Sequence, residues 1–499
     1  MRITQLICLA LPWMMLQAGA QSIDTNKPIH LLSLEDCLTM ALQHNFDVQI
    51  TRLNPVIARA TLEASYGLYD PSFHATAQRF YNVSEAKITP GSSAAQLSSD
   101  QQVDTLSPGI KGVLPTGLTY DLTGGINHRT GNNQGTPFDF YDGQASINLR
   151  QPLLRNFWTD PQRTQIKINK KDLKIAEWIF YRQLMDTMAA VQQAYYELVF
   201  AIEDVKVNEK AVELANRLVD EEMQRVKIGV KAPLDEQLAA SEAARALGDL
   251  IRARQARQQQ ENVLKNLIVD NFMQWHPVML EPTEKLVAVP ASYDLQDSWT
   301  KGLTLRPEYA RAKLELERQD LDLKLRINQL YPQLDAFGVY GRNTFDPGFS
   351  GNLRDLRDGE FPTYTAGLAL TIPFSNRDAR FRRDESRALK EQLRLILEQI
   401  KQGIIQQIDD NVTLSKANYE RVSTTRAQRE YAEAALAAEE KKFANGVATS
   451  FDVLDRQSRL TTARSAEIRA LADYIEALIK LYRAEGSTLE RLRMNVEIK

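Results

Sequence analysis

The stretch LMDTMAAVQQAYYELVFAIEDV, residues 184–205, decides the architecture. Within it Leu184, Met188, Val191, Tyr195, Leu198, Ile202 and Val205 follow one another at alternating steps of four and three. That is a 3.5-residue period, which holds one apolar seam along a supercoiled helix. Val212, Val219, Met223 and Val226 continue the series, and neither proline nor glycine interrupts residues 162–228. A helix over that span reaches about 100 Å, whereas globular helices seldom pass about 25 residues. The period returns in Leu389, Leu393, Ile396 and Ile400, then in Leu471, Ile475, Leu478 and Tyr482. The chain is built on rods.

Outward from the rods, KIGVKAPLDEQLA (227–239) and FANGVATSFDVLDRQ (443–457) interrupt them midway. Gly229-Val230 and Gly446-Val447 read as turns, because glycine supplies the left-handed cap that reverses a helix. Asp235 and Asp452 follow the two turns at equal spacing. Earlier anchors repeat in the same order. Leu34-Glu35-Asp36 with Asn45-Phe46-Asp47 returns as Leu295-Gln296-Asp297 with Arg306-Pro307-Glu308, Pro71 returns as Pro332, and Gln151-Pro152-Leu153 as Ile372-Pro373-Phe374. The offset falls from 295 − 34 = 261 through 373 − 152 = 221 to 446 − 229 = 217. Such self-similarity marks two tandem copies. The first copy carries 261 − 221 = 40 additional residues between Pro71 and Pro152.

Each copy has one grammar. A helix over 34–69 or 295–330 ends before Pro71 or Pro332, since proline disfavours helix in its predecessor. Extended segments follow, over about 72–152 and 333–373. Leu118, Tyr120, Leu122, Gly124 and Ile126 alternate with polar or small neighbours, as do Tyr364, Ala366, Leu368, Leu370 and Ile372. A period of two suits a half-buried soluble strand or the wall of a membrane barrel. Residues 89–104 and 343–360 read as long polar loops.

The chain has 499 residues with a net charge of −3, so no nucleic acid is called for as partner. Arg2, an apolar run and Ala18-Gly19-Ala20 make residues 1–20 a leader for export. Cleavage leaves Cys37 alone, without a disulfide partner. Beyond the leader no apolar run reaches the ~20 residues of a membrane helix; membrane entry would need closed β-structure. His30, His44, His74, His128 and His276 are scattered, and no zinc, phosphate-loop or nucleophile-elbow motif appears. No cofactor, metal or catalytic role is expected.

The double repeat, the LSLEDCLTMALQHNFDVQ opening (32–49), the QPLL and IPFS strand exits and the hairpin tips together resemble the TolC family of outer-membrane efflux proteins. The resemblance implies an α+β membrane protein. Long coiled-coil hairpins would form a trimeric α-barrel, and strands from three chains a shared transmembrane β-barrel of 12. Physics concurs, because four to six strands are too few to close a barrel alone. The units expected are a first repeat over 21–270, an equatorial linker over 271–293 and a second repeat over 294–499. The resemblance also implies a homotrimer in outer-membrane lipid, a periplasmic adaptor and an inner-membrane transporter. It makes the protein a passive export duct for efflux or type I secretion. A periplasmic coiled-coil adaptor without a channel is the rival. Carried across by position, Asp452 and Asp455 ring the periplasmic entrance, and Asp235 with Phe443 helps to latch the tip. The family's latching arginine is Ala448 here and a threonine partner is Leu234, leaving Lys227, Lys231 or Lys441 as substitutes. The additional hairpin, 107–113 joined to 118–127 by Leu114-Pro115-Thr116-Gly117, is expected outside the barrel; a six-strand contribution is the alternative.

Overall fold

A computed structural model describes residues 28–85, 98–133, 135–230, 232–359 and 361–494. The expected leader lies outside them. β1 (Ile29–Leu32) leads into α1 (Leu34–His44) and α2 (Phe46–Tyr66). The single helix expected over 34–69 is therefore two. Asn45 is extended, and its side chain accepts the Val48 N–H at 3.1 Å while donating to the Leu267 carbonyl at 3.0 Å. It ends one helix and caps the next, as short polar side chains do.

A 3₁₀ turn and Pro71 lead to four strands, β2 (Ser72–Ser84), β3 (Ser99–Val113), β4 (Thr119–Asn133) and β5 (Thr136–Pro152). The rods follow as α3 (Pro161–Lys227) and α4 (Pro233–Ile268), then the short α5 (Phe272–Trp275) and β6 (Met279–Pro282). The second half runs α6 (Leu295–Leu305), α7 (Pro307–Asn328), β7 (Gln333–Asp346), α8 (Phe349–Asp358) and β8 (Phe361–Thr371). It closes with α9 (Arg377–Ala444), α10 (Ser450–Glu485) and α11 (Thr488–Arg491). The helix expected over 295–330 also divides, at Arg306, where Pro307 opens α7. Lengths match pairwise: 11 and 11 residues for α1 and α6, 21 and 22 for α2 and α7, 67 and 68 for α3 and α9, 36 and 36 for α4 and α10.

The sheet corrects two expectations. All six long strands form one antiparallel sheet in the order β2-β3-β4-β5-β7-β8. The additional hairpin is β3–β4, hydrogen-bonded to β2 on one side and β5 on the other, so it stands inside the sheet. Its strands run on to Ser99 and Asn133, beyond the 107–127 core that the sequence marks, so residues 99–104 of the polar loop expected over 89–104 are strand, while residues 89–97 lie outside the described residues. The stretch 343–360 is not simply a loop, since Phe349, Leu353 and Leu356 at helical spacing build α8.

The seam behaves as its period requires along the upper rod. Leu184, Met188, Val191, Tyr195, Leu198, Ile202 and Val205 are all buried. Below Val205 the buried line turns to Asn208, Ala215, Leu218 and Glu222, leaving Val212, Val219, Met223 and Val226 half-buried. A straight α-helix drifts against a 3.5 repeat, and α3 here packs on α4 and α10. Leu389 stays exposed while Leu393, Ile396 and Ile400 are half-buried; α9 packs on α7 along this stretch, and Ile400 reaches the core cluster around Ile404. Arg469 ties the halves by bonding Glu197 at 2.8 Å and Asp473 at 2.6 Å, and Arg483 bonds Asp186 at 2.7 Å.

Between sheet and tip, β1 pairs in parallel with β6 to make an equatorial core around Tyr195. The Tyr195 hydroxyl donates to the Leu32 carbonyl and accepts the Thr283 N–H, each at 3.2 Å. Cys37 lies wholly inside this core, and burial pushes its thiol up to about 12. Only the thiolate is nucleophilic. Cys37 should therefore resist maleimide labelling at neutral pH in the native protein and react fully in denaturant; rapid native labelling would contradict this packing.

Candidate functional site

The strand register sorts the sheet's side chains into two unlike faces. One cross-strand row runs Tyr364–Tyr340–Ile147–Leu122–Ile110–Phe73 through all six strands. Leu334, Leu368, Leu370, Leu149 and Leu106 share that face by parity. All but the half-buried Leu334 are exposed; Tyr364 is 82% and Leu368 68% accessible. The opposite face carries Lys111, Asp121, Asn148, Arg150 and Asp335. Several of its charges are paired: Arg150 donates to Asp335 at 2.8 Å, and Arg129 pairs with Asp142, which also accepts from Asn127 at 2.7 Å. A soluble sheet buries its apolar face; here that face is bare and the polar one is organised. This is the inverse of soluble packing and the pattern of a membrane wall.

The far end of the apolar face is bounded by polar and aromatic groups. Arg79 forks onto Asp104 at 2.6 and 2.8 Å, and His128 stacks on Tyr141 with centroids 4.3 Å apart. Arg79, Asp104, His128 and Tyr141 lie on one row, farther along the strands than the Tyr364–Tyr340 row. From β2 to β5 the boundary thus follows one hydrogen-bonded row. Edges β2 and β8 pair with nothing among the described residues. Pro71 and Pro332 precede β2 and β7, while Pro152 ends β5 and Pro373 follows β8, so all four mark the junctions of sheet and helices.

At the opposite end lie the two turns. Gly229 and Gly446 have φ of +77° and +74°, each followed by an exposed valine, Val230 or Val447. Asp235 accepts the Ala232 N–H at 3.3 Å. Asp452 forms the full capping box: its carboxylate accepts the Thr449 N–H at 2.9 Å and the Thr449 hydroxyl at 2.6 Å. Those hydrogen bonds hold the Asp452 carboxyl below the usual carboxylate range. The capping contribution is therefore present at neutral pH and is lost as pH falls through that depressed value. Asp455, one turn on, pairs with Arg459 at 2.8 Å. Phe443 is buried among Leu218, Leu436, Val453 and Leu454, and the Arg225 guanidinium sits 4.1 Å above its ring. Leu234 is exposed and Ala448 packs against this cluster.

The sequence reading missed Arg225, which joins the first hairpin to the second where lysines were considered; Lys231 is outside the described residues. It missed Glu222 too, fully buried with neither carboxylate oxygen hydrogen-bonded and Arg225 3.8 Å away. The only signal was spacing, since 218, 222 and 225 share one helical stripe. Among the described residues no cluster of three or more His, Cys, Asp or Glu is placed to hold a metal, and no helix is long and apolar enough to cross a membrane.

Long rods thus carry a sheet with one bare apolar face. Residues 301–487 match the profile of the outer membrane efflux protein family. The fold matches the Campylobacter jejuni CmeC outer membrane channel at a TM-score of 0.66 and 15% identity, over 92% of this chain and 88% of that one. It matches a membrane protein of Pseudomonas aeruginosa at 0.67 and 17%, over 91% and 90%. VceC of Vibrio cholerae matches at 0.65 and 17%, over 91% and 96%. No curated protein matches the sequence significantly. The chain thus carries an outer membrane efflux protein domain on the fold of an outer-membrane channel.

Proposed function

We propose that three copies of this chain join into a passive export duct, with a shared β-barrel in the outer membrane and a tube of long helices in the periplasm. The observation that carries this reading is the bare apolar face between two unpaired edges. In lipid every backbone polar group needs a partner, so β8 of one copy must meet β2 of the next. Six strands is an even number, which keeps each such junction antiparallel. Three copies then give an 18-stranded wall, about 1.5 times as wide as one of 12, because barrel diameter grows roughly linearly with strand number. Exposed apolar residues on the flanks of the rods support lateral assembly: Phe46, Ile50, Leu53 and Ile57 on α2, Leu247 and Ile251 on α4, Leu389 on α9. The matched helix lengths support two tandem copies over 21–270 and 294–499 around an equatorial segment at 271–293. An experimental structure of the membrane-extracted trimer tests the wall by strand count. A wall of 12, or a soluble periplasmic monomer as an adaptor would be, refutes it.

The tip is the proposed periplasmic entrance, where an adaptor and an inner-membrane transporter would dock and supply the energy. Asp452 and Asp455 lie three apart, on one side of α10, and three copies would bring six carboxylates around the axis. Acidic rings select cations. Arg225 on Phe443 takes the part of the absent family latch, with Asp235 capping the neighbouring helix. Asp452→Asn with Asp455→Asn removes the charge yet keeps an acceptor for the Thr449 cap. Cation preference in planar bilayers should fall several-fold; unaltered selectivity would remove both residues from the entrance.

A further inference from the structure

Helix α8 has no part in the duct described above, and it sits in an unusual place. It folds onto the apolar face of the sheet, at the edge where that face ends. Asn352 is fully buried there and donates to the Tyr141 carbonyl at 2.9 Å, and Phe349 meets the Tyr141 ring edge-on at 5.9 Å. Three features fix the helix. Asp346 accepts the Gly348 N–H at 2.7 Å and opens it; Gly351 leaves room for that carboxylate, since a Cβ would stand 2.3 Å from its Oδ1. At the other end Gly359, with φ +76°, lets Arg342 tuck beneath and donate to the Arg357 carbonyl at 2.9 Å. A segment so held is a built element.

Its faces are divided. At ~100° per residue, Phe349, Leu353 and Leu356 share one side of α8. Phe349 and Leu353 remain 52% and 51% exposed, although they adjoin the apolar wall. Next around the helix, away from the sheet, come Arg357 and then Arg354, with side chains 78% and 66% accessible; each pairs with its neighbouring aspartate, Arg357 with Asp358 at 2.9 Å and Arg354 with Asp355 at 3.7 Å, leaving the rest of each guanidinium open to solvent. Asp355 lies back toward the sheet and is only 23% accessible. The outward order is apolar, then basic, then water.

We propose that α8 lies flat in the outer-leaflet interface, with Phe349 and Leu353 among acyl chains and Arg354 and Arg357 against phosphate groups of the lipid. An amphipathic helix with basic residues flanking its apolar side takes that position, and guanidinium matches phosphate geometry. The inference rests on the apolar face being the lipid-facing wall. It adds a lipid-recognition element to the exterior rim of the duct.

The test uses the full-length trimer in vesicles of phosphatidylglycerol and lipid A. A nitroxide on Leu353→Cys should collide several-fold more with oxygen than with a water-soluble nickel chelate, and one on Asp358→Cys should show the reverse. Buried Cys37 does not compete for label. Native mass spectrometry should show phosphorylated lipid A retained by the wild type, with retention reduced several-fold by Arg354→Gln with Arg357→Gln. Dephosphorylated lipid A should be held weakly by both. Millimolar inorganic phosphate should not displace the lipid; displacement would make the site one for free phosphate and overturn the lipid assignment. A conducting trimer whose residue-353 label is water-exposed, or whose lipid retention ignores both arginines, refutes this inference and leaves the duct intact. A protein that forms no channel refutes both.

Discussion

Ile147→Arg should destabilise the membrane-assembled protein by about 2–4 kcal/mol, while Asn148→Arg, one residue on, should change little. The contrast follows from strand parity alone. Ile147 stands opposite Leu122 and Tyr340 on the bare apolar face, and Asn148 stands opposite Asp121 and Val339 on the polar one. A guanidinium at position 147 would meet hydrocarbon near mid-depth. At position 148 it would meet water and the Asp121 carboxylate. Urea unfolding of the protein reconstituted in bilayers measures the first quantity, and its yield in outer-membrane fractions measures assembly. Equal effects at the two positions would show that the faces are wrongly assigned, and the barrel with them.

The second large effect is predicted in the equatorial core. Lys265 is wholly buried and pairs with Glu261 at 2.7 Å, one helical turn earlier, while its ammonium also donates to the Val278 carbonyl. Glu261 is itself 3% exposed. Removing one member strands the other's charge, so Lys265→Ala should cost about 3–5 kcal/mol. Replacing both, as Lys265→Met with Glu261→Leu, should recover most of that loss, because two desolvated charges leave together. The carbonyl of Val278 loses its donor in either case, which keeps the recovery incomplete. Denaturant midpoints at neutral pH decide the matter. A harmless single substitution would mean that water reaches the pair, and that the core is looser than its packing indicates.

Much of the architecture was legible before any coordinates. The 4-3 spacing from Leu184 to Val205 foretold a buried seam, since a helix has only one way to present that period to a partner. Gly229 and Gly446 announced the reversals because few other residues accept a left-handed backbone cheaply. The paired prolines announced where helix gives way to strand. Less was legible at the tip, where contacts join residues remote in sequence. Arg225 reaches Phe443 only once two hairpins lie side by side, and no local pattern encodes that meeting. The motifs at Asn45 and Arg306 were visible as repeats but were read within single helices, because the break at Asn45 depends on its cap and on a carbonyl contributed by α4.

What the sequence determined by itself was local and periodic: the rods, their turns, the alternating strands and the repetition of one unit. These follow from residue spacing and backbone preference, which act within a few turns or a few residues. What only the tertiary structure decided was adjacency. Whether β3–β4 stood inside or outside the sheet could not follow from its alternation, because an apolar face suits either position; hydrogen-bond pairing to β2 and β5 placed it inside. The helical spacing of Phe349, Leu353 and Leu356 was present from the start. Its consequence emerged only when that helix lay against the edge of an apolar wall, since a side chain's role is set by what faces it.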